Sequence, residues 1–378
     1  MMRLRNSPWD SASLVLAVPF VAVALFLCGC GNEGSAEGTA AKSKGQEPIV
    51  QLHQGEAQGT TYSIKYLSEE RLDDAVFEDL LEVVDEAVNL WRPESTINAI
   101  NAWDRTDSLF GFVDSTHIIG PLWALSEELN ELTRGAFDPT VSPLVELWGF
   151  GLSKRGEVTE ADVDSVLAFT GLRPERFDMN EEEADGYYVG TWVRKGDARA
   201  ALDFNAVAQG YTVDLLLEAL RERGIDNAMV ELGGEVVCRG VNASGEPWRI
   251  AVDRPIVGSS AEDRVLETVV SVQDRAICTS GSYRKFYERD GRRFSHTIDP
   301  ATGWPAENGL LSATVLAPTA AYADALATAF MVLGAEQTRG FLAAYPDLGV
   351  DVLLMSDDGQ GGYTVWATPG FDAVSQSL

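Results

Sequence analysis

Histidine is nearly absent from this 378-residue chain, with only His53, His117 and His296, so a conventional histidine-rich zinc site has too few ligands. Cysteine is almost as scarce. Outside the first thirty residues only Cys238 and Cys278 occur, enough for one disulfide or a buried thiol pair but not for a disulfide framework. Basic residues are few: 29 Lys and Arg stand against 58 Asp and Glu, a formal net charge of -29. Nucleic acid is excluded as a partner, because phosphate contacts need clustered cations. An anionic ligand is repelled at long range and needs a metal or a local donor cluster to bind. There is no Walker or GxGxxG pattern, no internal repeat and only one long apolar run.

That run, Leu14 to Leu27, follows a short basic start at Arg3 and Arg5 and is interrupted by Pro19. It is short for a bilayer span and suits the apolar part of an export signal. Leu27-Cys28-Gly29-Cys30 follows and resembles the bacterial lipobox, which implies lipidation of Cys30; the alternative is an uncleaved anchor. Residues 1–30 are read as a lipoprotein signal peptide and residues 31–48, rich in Gly, Ala, Ser, Glu and Lys, as a flexible tether. Residues 49–378 form the body, expected outside the cytoplasm and lipid-anchored to a bacterial membrane.

Within the body, strands are expected at Gly59 to Tyr66, Tyr187 to Val193, Ala200 to Phe204, Ala228 to Leu232, Val236 to Arg239, Trp248 to Val252, Val265 to Val272, Arg293 to Ile298, Leu311 to Ala317, and near Val350 to Met355 and Tyr363 to Ala367. Helical spacing predicts helices over Asp74 to Leu90, Thr116 to Leu132, Ala206 to Arg223 and Ala321 to Leu333, the last two closed by Gly224 and Gly334. Thr159 to Asp162 has the form of a capping box. Helices and strands mix without a βαβ rhythm, so the class is α+β.

Asp324 is a carboxylate on a helix otherwise built of Ala, Leu, Thr, Phe and Met. Burying a bare charge is costly, so it needs a partner. Thr328 lies one turn further on the same face and Ala321 one turn back. Two readings stand: an oxygen pair for a hard cation such as magnesium, or a first-turn carboxylate meeting the helix dipole. In Leu202 to Tyr211 a polar turn opens a helix, where free N–H groups suit an anion; an ordinary cap by Asp203 or Asn205 is the plainer reading. Thr279-Ser280-Gly281-Ser282-Tyr283-Arg284 and Ser295-His296-Thr297-Ile298-Asp299-Pro300 bring hydroxyls, a cation and a titratable imidazole. His53 and His117 read as structural. Gly135-Ala136-Phe137-Asp138-Pro139-Thr140 reads as a rigid loop, and Gly233-Gly234 as a turn.

Taken in this order, with Gly59-Thr60-Thr61-Tyr62-Ser63-Ile64 and Ser95-Thr96-Ile97-Asn98-Ala99-Ile100-Asn101 before them and Ala323-Asp324-Ala325-Leu326-Ala327-Thr328 after, these segments resemble the ApbE family of FAD:protein FMN transferases from about Gly59 to Gly334. The resemblance implies a T-fold-like α+β architecture of mixed helices and largely antiparallel sheets with FAD between its units. It also implies magnesium-dependent transfer of FMN from FAD to a Thr or Ser hydroxyl of an extracytoplasmic electron-transfer protein, releasing AMP. By the same resemblance Asp324, Thr328 and the carbonyls of Ala208 and Ala321 become magnesium ligands. Gln58, Trp91, Ala136, Phe137, Asp138, Asn205, Tyr211 and Ser295 line the FAD. His296 is the candidate to accept the target's proton, and Ser280 and Arg284 are candidate phosphate contacts. Three positions depart from the family pattern: Gln209 where Lys is frequent, Gln58 where Met is frequent, and Glu235 where Asp or Asn is frequent. A magnesium-dependent FAD pyrophosphatase and a non-enzymatic flavin-binding lipoprotein are the competing readings.

Overall fold

The computed structural model describes residues 49–377 apart from 153–155, 185–186, 257–264, 284–285 and 290–291. The leader, Cys30, the tether and Arg284 lie outside the described residues. In chain order the elements are β1 (Ile49–Ala57), β2 (Thr60–Ser68), α1 (Ala75–Val88), α2 (Thr96–Ala102), β3 (Phe110–Phe112), α3 (Ile119–Thr133), α4 (Ser142–Leu147), α5 (Glu160–Leu167), β4 (Phe177–Ala184), β5 (Tyr187–Lys195) and α6 (Ala208–Glu222). There follow β6 (Ala228–Leu232), β7 (Glu235–Arg239), β8 (Trp248–Asp253), β9 (Leu266–Val272), β10 (Arg275–Gly281), β11 (Phe286–Arg289), β12 (Arg292–Ser295), β13 (Leu310–Ala317), α7 (Ala320–Ala344), β14 (Asp351–Asp357), β15 (Tyr363–Ala367), α8 (Pro369–Val374) and β16 (Ser375–Ser377).

An open eight-stranded antiparallel sheet in the order β1-β2-β6-β7-β10-β13-β14-β15 organises the body. Its central strands are apolar on both faces, which demands cover on both. One face packs on α6 and α7 through Val230, Leu232, Val237, Cys278, Ala313 and Val315. The other carries Val236, Cys238, Ile277, Leu316, Leu353 and Met355 against Trp248, Val252, Val270 and Val272 of β8 and β9 and Phe371 of α8. Cys238 pairs with Arg275 in the sheet and belongs to the cluster opposite that of Cys278; both thiols are free. A smaller cluster, Leu144, Trp148, Val163, Phe294 and Ile298, joins α4 and α5 to β12 and the stretch after it. No helix among the described residues is long and apolar enough to cross a membrane.

The α+β class is as expected. The capping box on α5 is present, with Thr159 and Asp162 each bonding the other's backbone. Four differences have physical causes. Residues 200–204 are not a strand: Asn101 takes both backbone groups of Leu202 (2.9 and 2.8 Å), and Asp203 N–H donates to the Pro139 carbonyl (2.7 Å), so side chain and loop replace a neighbouring strand. His117 lies in a turn with φ 55, before α3 rather than on it, because Asp114 already accepts the N–H of Ile119 at 2.9 Å. β12 stops at Ser295, ahead of a turn closed by Asp299, and Ile298 keeps only an isolated bridge to Pro305. Helical structure resumes after Gly334 (φ 73, ψ 173); Asn308 Nδ2 donates to the Met331 and Val332 carbonyls that the break frees (2.8 and 3.0 Å).

Candidate functional site

The N-termini of α6 and α7 cross closely. At Gly210 a Cβ would stand 2.3 Å from the Ala320 carbonyl oxygen and 2.8 Å from Asp324 Cβ, so only glycine permits the approach. Gly210 N–H, whose ordinary helical partner is the Ala206 carbonyl, instead donates to Asp324 Oδ2 at 3.1 Å. Asp324 is 6% exposed, and among the described residues nothing donates to its Oδ1 or to the Ala206 carbonyl. One turn along α7, Thr328 Oγ1 pairs with Ser280 Oγ of β10 at 3.0 Å. Asp214 of α6 makes the return contact: its Oδ1 accepts from Ala320 N–H and its Oδ2 from Ala321 N–H, each at 2.9 Å. Burial pushes both carboxyls above the usual carboxylate range, Asp214 up to about 7, and the charge of Asp214 adds to the rise at Asp324. Cys278, beneath them with its thiol against the Ala320 carbonyl (3.5 Å), is pushed up by burial and by Asp324.

This donor set fits a hard cation. Among the described residues no three His, Cys, Asp or Glu side chains converge on a metal-sized site. A cation here therefore rests on one carboxylate supplemented by neutral oxygens, an arrangement that suits magnesium with substrate phosphates. Of the expected carbonyl ligands, that of Ala208 accepts the Thr212 hydroxyl at 2.7 Å and keeps a second lone pair, and Ala321 sits in the first turn of α7. Among the described residues no N–H donates to the Asn205 or Ala206 carbonyl. At the same helix start the N–H groups of Ala206 and Gln209 have no acceptor among the described residues, which is what an anion needs.

The hairpin β1–β2 turns at Gln58 and Gly59, both with positive φ (50 and 73), as a two-residue turn matched to strand twist requires. Gln58 Nε2 donates to Thr212 Oγ1 at 2.8 Å, which ties the hairpin tip to α6. Tyr211 is half-buried, its hydroxyl pushed up to about 12 by burial, and Asn205 is exposed just before the helix. Ala136, Phe137 and Asp138 are buried. Asp138 accepts from Thr140 N–H (2.8 Å), Thr140 Oγ1 (2.6 Å) and Leu172 N–H (3.0 Å), so its carboxylate ties the loop to the segment after α5. Trp91 is 62% exposed on a loop that Asn98 braces through the Asn89, Leu90 and Arg92 carbonyls, and Ser95 caps α2. Ser295 is buried. His296 follows it, edge-on to Phe150 with ring centroids 6.4 Å apart. His53 is structural, as expected, held between Asp74 and Tyr66.

The structure thus joins Asp324, Thr328 and Ser280, and separately Gln58 and the start of α6. Asp214, Thr212 and Ala206 were not singled out in the sequence. Asp214 carried the same signal as Asp324, a carboxylate on a largely apolar helix, four residues after a glycine.

An open antiparallel sheet backed by α6 and α7, with a buried carboxylate and an open helix N-terminus where those helices cross, defines an α+β protein with a candidate polar site at two helix starts. More narrowly, the chain belongs to the ApbE family, whose model matches residues 58–354. It is 36% identical to a FAD:protein FMN transferase of Vibrio cholerae over 83% of this chain and 90% of that one, and 31% identical to one of Haemophilus influenzae over 92% and 94%. Among solved structures it resembles the flavin transferase ApbE from Vibrio cholerae (TM-score 0.72, 33% identity, 86% of this chain and 99% of that one). It also resembles the apo form of Pseudomonas stutzeri flavinyl transferase ApbE (TM-score 0.72, 31% identity, 88% and 98%).

Proposed function

We propose that this chain is an FAD:protein FMN transferase that works with magnesium. The observation carrying the metal assignment is Asp324: buried, bound at Oδ2 by Gly210 and, among the described residues, without a donor at Oδ1. A carboxylate so placed calls for a cation or a proton. Asp324, Thr328 Oγ1 and the carbonyl oxygens of Ala208 and Ala321 are the ligands we assign. When bound, magnesium supplies neutralisation of the pyrophosphate charge as AMP departs.

The remaining work falls to the chain's own residues. The start of α6 directs N–H groups at the phosphates. Ser280 holds the Thr328 hydroxyl in place. The exposed ring of Trp91 offers a stacking surface for the flavin. A Thr or Ser hydroxyl of the target attacks the FMN phosphorus in line; its O–H bond breaks, a new P–O bond forms, and the P–O bond to AMP breaks. His296 is the proton acceptor we assign. The leader, the lipobox-like Cys30 and the tether support placement outside the cytoplasm on a lipid anchor.

Protein mixed with FAD, magnesium and a candidate target should produce covalent flavin fluorescence on the target and free AMP. Asp324→Ala should lose both. Full turnover in that variant overturns the metal assignment, and AMP without labelled protein points to FAD hydrolysis.

A further inference from the structure

The two helix N-termini are capped reciprocally but unequally. Asp214, in the second turn of α6, spends both carboxylate oxygens on the first two N–H groups of α7. Asp324, in the second turn of α7, spends one oxygen on Gly210 of α6. The same clasp that leaves Asp324 Oδ1 without a donor gives each Asp214 oxygen a backbone N–H of α7, which directs Asp214 at the helix rather than at the cation. It is instead the only carboxylate among the described residues that bonds the first N–H groups of α7.

We propose that Asp214 is a positioning residue for the metal site: by gripping Ala320 and Ala321 it holds α7 in register with α6, and so holds the Asp324 carboxylate at the start of α6. The clasp has three parts. Asp214 pulls the start of α7 toward α6. Gly210 allows contact at the distance where a Cβ would meet the Ala320 carbonyl. The Gly210 N–H takes one oxygen of Asp324, and the other has no donor among the described residues. A two-point grip resists rotation of α7 about its axis, which a single hydrogen bond does not. Groups that orient a ligand without touching the metal typically change its affinity by about 10- to 100-fold when removed. The proposal rests on the magnesium reading above, and the experiment separates the two.

The test is metal binding to the full chain without FAD, by manganese electron paramagnetic resonance and magnesium calorimetry, with the thermal midpoint measured on each sample. Asp214→Asn keeps one acceptor oxygen and sets an amide N–H against an N–H. Ala320→Pro removes one of the two gripped donors at the first helical position, where proline is tolerated; Thr319 before it is already extended (φ -129, ψ 156). Val270→Ala, in the cluster on the other sheet face, is the stability control. Both clasp variants are expected to bind metal about tenfold or more weakly, with flavin transfer recovering at saturating metal, whereas Val270→Ala lowers the midpoint and leaves affinity unchanged. Wild-type affinity in both clasp variants, whatever their midpoints, reduces Asp214 to an ordinary helix cap and overturns the proposal. Wild-type affinity in Asp324→Ala overturns the underlying metal reading itself.

Discussion

At Gly210 the absence of a side chain decides whether a site exists. Its neighbours are backbone and a Cβ, none of which can swing aside. Glycine inside a helix costs about 1 kcal/mol against alanine, so Gly210→Ala would stabilise an isolated α6. Here the added methyl meets the Ala320 carbonyl at 2.3 Å, and overpacking of this kind costs about 1–3 kcal/mol. We expect Gly210→Ala to lower stability in urea despite its better propensity, and to lose AMP release together with metal affinity as α7 is pushed away. Asp324 shows the same dependence on surroundings. Its type and spacing marked it in the sequence, but a first-turn helix carboxylate and a metal ligand look alike until the donor count at each oxygen is known.

At the scale of elements, α2 shows how a motif can brace the segments around the candidate site. Ser95 caps it, Asn98 braces the Trp91 loop, and Asn101 fixes the segment that leads into α6. Its C-terminal end is held by Lys195, 0% exposed, whose ammonium donates to the Asn101 and Trp103 carbonyls at 3.0 and 2.7 Å. A cation suits that end of the helix dipole, yet burial lowers the Lys195 pKa to about 8 from an ordinary 10.5. Between those values the unfolded chain holds more protons at this group than the folded one, so its contribution to stability rises with pH across that window. Urea unfolding from pH 7 to 10.5 should show this rise in the wild type, and Lys195→Met should flatten it. Helix spans were close to expectation, Asp74 to Leu90 against α1 and Ala206 to Arg223 against α6, because amphipathic period and a closing glycine are local signals. β1 and β10 were not anticipated as strands; β10, the support of Ser280, had been read only for its hydroxyls.

For the molecule as a whole, the net charge of -29 sets the terms on which an anionic dinucleotide arrives. Like charges slow encounter, and salt screens them over about 10 Å at 0.1 M. Stopped-flow association of FAD should therefore quicken as potassium chloride rises from about 10 to about 150 mM, the reverse of an electrostatically steered pair. A rate that falls with salt would show that the local donors at the start of α6 and the metal outweigh the global field.

The order of the motifs, the α+β class, the acidic character and the pairing of Asp324 with Thr328 are properties of local sequence, because periodicity, turn chemistry and i,i+4 spacing act over a few residues. The fold alone decided which oxygens are free. Asp138 is taken by its own loop and by Leu172, and Asp214 by α7, whereas Asp324 has one oxygen that meets no donor among the described residues. Those assignments depend on partners up to 114 residues away in the chain, and hydrogen-bond satisfaction across such separations is settled only when the helices are packed.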